Sequence, residues 1–255
     1  MKTVRTVVVF SQGGMIDSEE WAEMHESYTR AVQGIVHPPG RDRFVIRRKI
    51  RKRDARGNPT KQWMRNGVVP IREQFLDNLL QDGWRAEMPV GLYREALAEA
   101  QPEAKTSLVE YPSKQIFAFD DAKWSEVFRE GLGDFDFYSE VDNGIRCVIE
   151  WETGNISSSH RSMNKLCLVM LAGLIEIGVV ILPSRQLYPH LTDRIGSWEE
   201  LSPYLALWHH AGRRVKRGLL AVTVVEHDEL TDDASVAFIS QGTDGRSAEG
   251  AAKLL

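Results

Sequence analysis

Asp134 to Leu174 sets a strand, a tight turn, a second strand and a helix end to end, and any fold for this chain has to keep those four pieces together. Phe135, Phe137 and Val141 mark the first strand and Asp142-Asn143-Gly144 the turn. Ile145 to Glu152 forms the second, so the pair reads as a β-hairpin. Thr153-Gly154-Asn155 closes it. Ser157, Ser158 or Ser159 then caps a helix running to about Leu174, because Leu166, Met170 and Leu174 recur at helical spacing. The same reading gives a strand over Thr3–Phe10 and a helix from Asp17-Ser18-Glu19-Glu20 to about Val36. Phe44–Ile46 follows as a strand. A helix carrying Phe75, Leu76, Leu79 and Leu80 comes next, with another over Leu92–Ala100. Glu176–Leu182 is a buried strand, and Ser197-Trp198-Glu199-Glu200 is a capping box opening a helix with Leu201, Leu205 and Trp208. Leu219–Val225 is the last strand. Strands and helices interleaved in this way predict an α/β fold, a central mixed β-sheet flanked by helices, in one domain over residues 1–255. The N-terminal region 1–65 is extended, and residues 228–255, polar and punctuated by Gly, read as irregular or mobile.

Charge narrows the function classes. Lys plus Arg number 32 against 36 Asp plus Glu, a formal net charge of −4, so overall basicity brings the chain to neither nucleic acid nor membrane. Positive charge is instead local: nine of the sixteen residues from Arg41 to Arg56 are Arg or Lys, a patch suited to phosphates. The only cysteines, Cys147 and Cys167, make neither a disulfide framework nor a Cys-x-x-Cys pair, which predicts a reducing, cytoplasmic setting. The N-terminal apolar stretch is too short for a signal-peptide core. Gly173, Glu176 and Gly178 break the longest apolar run, so no membrane span is expected. No Gly-x-Gly-x-x-Gly or phosphate-loop pattern calls for a nucleotide cofactor. His209-His210 reads as a surface pair and His160 as a neighbour of phosphate or water.

Alternation along the second strand puts Glu150 and Glu152 on one face, about 6.5–7 Å apart, with Ile149 and Trp151 on the other. Hairpin register decides whether an upstream aspartate joins them. A two-residue loop at Asn143-Gly144 sends Asp136 to the wrong face. A three-residue loop, with Gly144 in the left-handed conformation, sets Asp136 opposite Glu150 and Asp134 opposite Glu152. Convergent carboxylates repel one another, and a divalent cation with a taste for hard oxygen ligands, Mg²⁺, neutralises them and equips the site for phosphate chemistry. Solvating the face of a hairpin is the competing role for the same acids. Asn155, Ser157 and Arg161 follow at and just inside a helix start, with Ser157 and Arg161 four apart on one face. Such residues can read base edges in a major groove, as can Asp193 and Arg194 of Thr192-Asp193-Arg194, or they can cap helices and hold surface salt bridges.

The run Trp151-Glu152-Thr153-Gly154-Asn155-Ile156-Ser157-Ser158-Ser159-His160-Arg161-Ser162-Met163-Asn164-Lys165 closely resembles the active-site and recognition segment of the BamHI-like family of type II restriction endonucleases, within the PD-(D/E)xK superfamily. Asn66-Gly67-Val68-Val69-Pro70-Ile71-Arg72-Glu73 is similar to a second family block, with Arg72 where the family has Lys. Leu191-Thr192-Asp193-Arg194 and Trp198-Glu199-Glu200-Leu201 resemble a third, and Gly242 to Ser247 echoes a C-terminal element. The resemblance implies a restriction-endonuclease-like core in which Glu152 replaces the usual catalytic lysine. Asp136, chosen over Asp134 by the similarity of Asp136-Phe137-Tyr138-Ser139-Glu140 to the family's block, would hold Mg²⁺ with Glu150, and Glu73 would be a further acid near two metals. Asn155, Ser157, Arg161, Asp193 and Arg194 fall at base-reading positions. It further implies double-stranded DNA as substrate, the palindrome GGATCC cut after its first G, a homodimer, a prokaryotic cytoplasm and a cognate DNA methyltransferase protecting the same site. A nuclease of the same scaffold with another or a modified-base target, and a DNA-binding module that no longer cuts, are the alternatives.

Overall fold

Two neighbouring strands are buried along their whole length rather than on alternate residues: every residue of β10 (Ile177–Pro183) and all but Glu226 of β11 (Gly218–Glu226). Continuous burial of this kind requires helices on both faces of a sheet. A computed structural model, describing residues 1–89, 107–109, 113, 116–118, 132–141, 143–192 and 195–240, has that arrangement. In chain order its elements are β1 (Lys2–Gln12), α1 (Glu19–Gln33), β2 (Val45–Arg47), β3 (Ile50–Arg53), β4 (Pro59–Met64), α2 (Val69–Gln81) and β5 (Arg85–Pro89). Then come β6 (Ser107–Val109), β7 (Ile116–Ala118), β8 (Asp134–Glu140), β9 (Arg146–Trp151), α3 (Ile156–Leu171), β10, α4 (Trp198–Leu201), α5 (Leu205–Gly212), β11 and β12 (Glu229–Thr231).

Six strands form one mixed sheet in the order β1-β11-β10-β9-β8-β5. β9, β10 and β11 run parallel, while β1 on one side and β8 and β5 on the other are antiparallel to their neighbours. One face is covered by α1 and α2, whose Trp21, Tyr28, Val32, Ile71, Phe75 and Leu79 pack on Phe137, Ile149, Val179 and Ala221. The other is covered by α3 and α5, through Met163, Leu166, Met170 and Trp208 against Val148, Val180 and Leu220. Each of these large side chains contributes about 1.5–3 kcal/mol by leaving water.

Local chemistry explains most boundaries. Ser18 caps α1 by accepting from the Trp21 N–H at 3.1 Å, and Pro70 sits in the first turn of α2, where a missing N–H costs nothing. The buried seam of α2 is Ile71, Phe75 and Leu79; Leu80 is 49% exposed. The expected Ser cap of α3 is corrected: Asn155 is the cap, its side chain accepting from the Ser157 and Ser158 N–H groups, so the helix begins earlier, at Ile156. A single helix from the Ser197 capping box to Trp208 is likewise corrected. Glu200 Oε2 does accept from Ser197 N–H at 3.0 Å, but α4 ends at Leu201, and a 3₁₀ turn containing Pro203 separates it from α5. The segment after Asp228 is not irregular throughout. β12 pairs with β2, and Val236 and Ile239 are buried. The predicted helix over Leu92–Ala100 and the block Gly242 to Ser247 lie outside the described residues.

Candidate active site

The three-residue loop is the one the chain uses. Gly144 has φ 73°, Val141 N–H donates to Ile145 O at 3.1 Å, and β8 and β9 pair as Phe137 with Ile149 and Tyr138 with Val148. One step further along that register Asp136 stands opposite Glu150. Asp136 is held twice: Oδ2 accepts from the Trp151 N–H at 2.9 Å, and Oδ1 from Arg72 Nη2 at 3.0 Å. Arg72 stacks on Phe137 as well, 5.2 Å from the ring centre, so α2 delivers a cation to the carboxylate end of the hairpin.

Glu150 and Glu152 share the face turned toward α3, and each is only 5% exposed. Their partners come from the buried side of that helix. Lys165 Nζ lies 2.6 Å from Glu150 Oε1, donates to Asp134 O at 2.8 Å and rests over the Phe135 ring. Among the described residues Lys165 is the charged partner of the buried Glu150 Oε1. Glu152 accepts from Ser162 Oγ at 2.5 Å and Ser159 Oγ at 3.2 Å. Burial drives the Glu150 carboxyl up to about 7, with the nearby Asp136 and Glu152 charges adding to the rise and Lys165 opposing it. Burial also raises Glu152, against the pull of the two serines.

Three carboxylates, Asp136, Glu150 and Glu152, face two cations, Arg72 and Lys165. Among the described residues no three acids, His or Cys already converge as a finished metal cage. The excess of carboxylate oxygens over cations nevertheless fits a divalent cation at Asp136 and Glu150. Glu73 is exposed on α2, next to Arg72, and makes no hydrogen bond or ion pair among the described residues.

The outer face of α3 differs from its inner one. Asn155, Ser157 and Arg161 are all exposed, while Ser159, Ser162 and Lys165 point inward. One helix therefore offers three polar groups to solvent and clamps the acids with three others. Asn155 Oδ1 is engaged in capping, leaving its amide N–H groups free to donate. Asp193 and Arg194 lie outside the described residues, but their neighbours are fixed against the same helix start: Asn155 bridges to Ile195 and Gly196 N–H donates to Gly154 O at 3.0 Å. Gly196 has to be glycine, since a Cβ there would collide with Ser159 Oγ. His160 is half-buried. Its ring packs edge-on against Tyr204, at 4.5 Å, and near Trp208. His209, exposed as expected, bonds Val9 O through Nδ1 at 2.7 Å. Sequence reasoning missed Arg72, Ser159, Ser162 and Lys165 as partners of the acids. The spacing of Ser159, Ser162 and Lys165, three apart each time, was the available signal.

The family model described as restriction endonuclease BamHI matches residues 1–246. The type II restriction enzyme OkrAI of Oceanobacter kriegii is 35% identical over 217 residues, 85% of this chain and 85% of its own length. The type II restriction enzyme BamHI of Bacillus amyloliquefaciens is 35% identical over 144 residues, 56% of this chain and 54% of its own. With the match running through the hairpin, the carboxylates and the helix that clamps them, the chain belongs to the BamHI family of restriction endonucleases.

Proposed function

We propose that the protein is a Mg²⁺-dependent endonuclease that cuts double-stranded DNA at the palindrome GGATCC, after the first G, leaving 5′ four-base overhangs with 5′-phosphates. The observation that carries the reading is the clamp itself: three carboxylates against two cations, Glu150 and Glu152 buried among them, at the foot of a helix whose outer face bears Asn155, Ser157 and Arg161. Mg²⁺ held by Asp136 and Glu150, with Glu73 as a further acid for a second ion, would polarise the scissile phosphate and acidify bound water. The chain's own groups do the rest. Trp151 N–H and Arg72 fix the Asp136 carboxylate in one orientation, and Ser159 and Ser162 do the same for Glu152. Because burial raises its pKa, Glu152 can take the proton of an attacking water and pass it to solvent. Lys165 keeps a positive charge beside Glu150 and limits the mutual repulsion of the acids.

Asn155, Ser157, Arg161, Asp193 and Arg194 supply the donors and acceptors that distinguish bases in the major groove. A palindrome is matched by a two-fold protein. The exposed apolar side chains of Leu171, Tyr204 and Leu207, at 39%, 51% and 65%, support a homodimer through α3 and α5. A cell carrying such an activity needs a DNA methyltransferase that protects the same site. The described residues contain no helix long and apolar enough to cross a membrane, and DNA in the cytoplasm of a prokaryote is the expected substrate.

The test is digestion of a plasmid with a single GGATCC site, with Mg²⁺ or with chelator, followed by sequencing of the ends. Mg²⁺-dependent cutting at that site alone is the expected result. Cutting elsewhere retains the nuclease and rejects the target, and specific binding without cutting rejects the nuclease. Arg194→Ala is expected to lose about 1–3 kcal/mol of discrimination at one G·C pair, measured as cleavage of the cognate site against a site with that pair changed. Metal binding needs Glu150 ionised, and its pKa lies near 7. At sub-saturating Mg²⁺ the cleavage rate is therefore expected to climb about tenfold per pH unit below 7 and to flatten above it, whereas a rate flat from pH 5.5 to 8.5 would remove Glu150 from the metal site.

A further inference from the structure

The strongest charge outside the carboxylate site is on the hairpin β3–β4. Between Arg47 and Arg65 the sequence holds nine lysines and arginines and a single acid, Asp54, in a chain of net charge −4. That one acid is occupied in shaping the hairpin tip. Asp54 Oδ1 accepts from the Arg56 and Asn58 N–H groups at 2.9 and 2.8 Å, and Gly57 takes φ 82° to complete the turn. Arg51 pairs with Trp63 across the two strands, the register shifting beyond that pair, and Lys49 and Arg51 both lie over the Trp63 ring. The Trp63 ring lies 4.7 Å from the Arg51 guanidinium carbon and 5.1 Å from the Lys49 ammonium, and Arg51 also donates to Thr60 O. These contacts stiffen the ribbon. The side chains of Lys52, Arg56 and Lys61 make no hydrogen bond or ion pair among the described residues, and all three are available to a ligand.

The root of the hairpin ties it to the recognition segment. Lys49 N–H donates to His190 Nδ1 at 3.2 Å on one side. On the other, Asn66 donates to His190 O from its backbone N–H at 2.8 Å and its Nδ2 at 3.0 Å. Thr192 N–H then donates to Asn66 O at 2.7 Å. Burial, the neighbouring His227 and the cations Lys49, Arg48 and Arg65 push His190 down to about 4, so Nδ1 remains an acceptor at neutral pH. Thr192 immediately precedes Asp193 and Arg194. The basic ribbon and the second base-reading segment thus leave the fold from one hydrogen-bonded junction.

Six residues of β4 at about 3.3 Å each make an arm of about 20 Å, or about six base-pair steps of 3.4 Å. We propose that the β3–β4 hairpin grips the phosphate backbone of duplex DNA flanking the target, with Lys52, Arg56 and Lys61 as its free cations, so that binding depends on DNA outside the sequence that is cut. This rests on the reading of the chain as a site-specific nuclease. Charge complementarity selects the occupant: nine cations with one acid, itself engaged in the turn, answer a polyanion.

The test compares two duplexes centred on the sequence the enzyme cuts, one about 10 and one about 26 base pairs long, bound without divalent metal across a fourfold range of salt. The proteins are wild type, a triple Lys52→Ala/Arg56→Ala/Lys61→Ala variant and the charge-retaining pair Lys52→Arg/Lys61→Arg. Wild type is expected to prefer the long duplex, with a log–log salt slope steeper than that of the triple variant by about 2.7, or about 40-fold over that salt range. The triple variant should lose most of the preference for length, and the arginine pair should keep it. Equal slopes for wild type and triple variant, or equal loss in the arginine pair, would overturn the proposal. Absence of any cutting by wild type in Mg²⁺ would instead reject the nuclease reading on which it rests.

Discussion

Glu150→Ala is expected to cut its target at least about 10³-fold more slowly than wild type in saturating Mg²⁺, while binding the same DNA as tightly or more tightly without metal. Polarisation of a phosphate by a bound metal is worth several kcal/mol of barrier, and about 4 kcal/mol is three orders of magnitude in rate. Glu150 is the acid on which that contribution turns, because it is buried and the charges of Asp136 and Glu152 both press on it. Removing a negative charge from the floor of a DNA site lowers repulsion of phosphate, hence the undiminished binding. Alanine also leaves Lys165 buried opposite a void, so Glu150→Gln is the companion variant. It keeps the volume, and it should fail to cut for the same reason. Single-turnover cleavage beside anisotropy titrations decides the matter: either variant cutting at the wild-type rate would show that the metal site has been assigned to the wrong acid.

Lys165→Met is expected to destabilise the protein by about 3–5 kcal/mol at pH 8.5, the cost of leaving a buried carboxylate without its partner. The loss should be smaller at pH 5.5. The sign follows from linkage: the folded-state pKa of Glu150, about 7, lies above its ordinary value, so the folded state binds the additional proton between roughly pH 4.5 and 7. Below about pH 7 the folded-state Glu150 is largely protonated, the more so once Lys165 no longer opposes the rise, and Lys165 has little to compensate. Above it the full penalty appears. Mg²⁺ should restore stability to the variant more than it stabilises wild type, since a cation is what the site has lost. Urea unfolding at the two pH values, with and without Mg²⁺, measures each part. A loss independent of pH would mean that Lys165 acts through packing alone, over Phe135, and not through charge.

The hairpin was legible because its signals are local: a Gly able to take φ near +70°, β-branched and aromatic residues on either side, and a period of two that puts Glu150 and Glu152 together. The α3 cap was misplaced from Asn155 to a following serine because Asn and Ser serve almost equally well as caps, and three serines in a row offer no preference. The break between α4 and α5 was readable in Pro203, whose missing N–H outweighs the apolar period around it. The order of residues 228–240 was not. Val236 and Ile239 are two of a few scattered apolar side chains in a largely polar stretch, and they are buried where the segment docks near Asn66, whose Oδ1 accepts from Ile239 N–H at 3.3 Å.

By itself the sequence determined the interleaved α/β plan, the two acids on one face, and the polar residues at the start of the following helix, since each depends on spacing along a few consecutive residues. Only the tertiary structure decided which partners those acids have. Arg72 reaches Asp136 across 64 residues, and His190 joins the hairpin root at Lys49 across 141. It also decided the protonation of Glu150, because a carboxyl's pKa is set by how much water the surrounding layers remove and which charges they bring near, and neither is written in its neighbours along the chain.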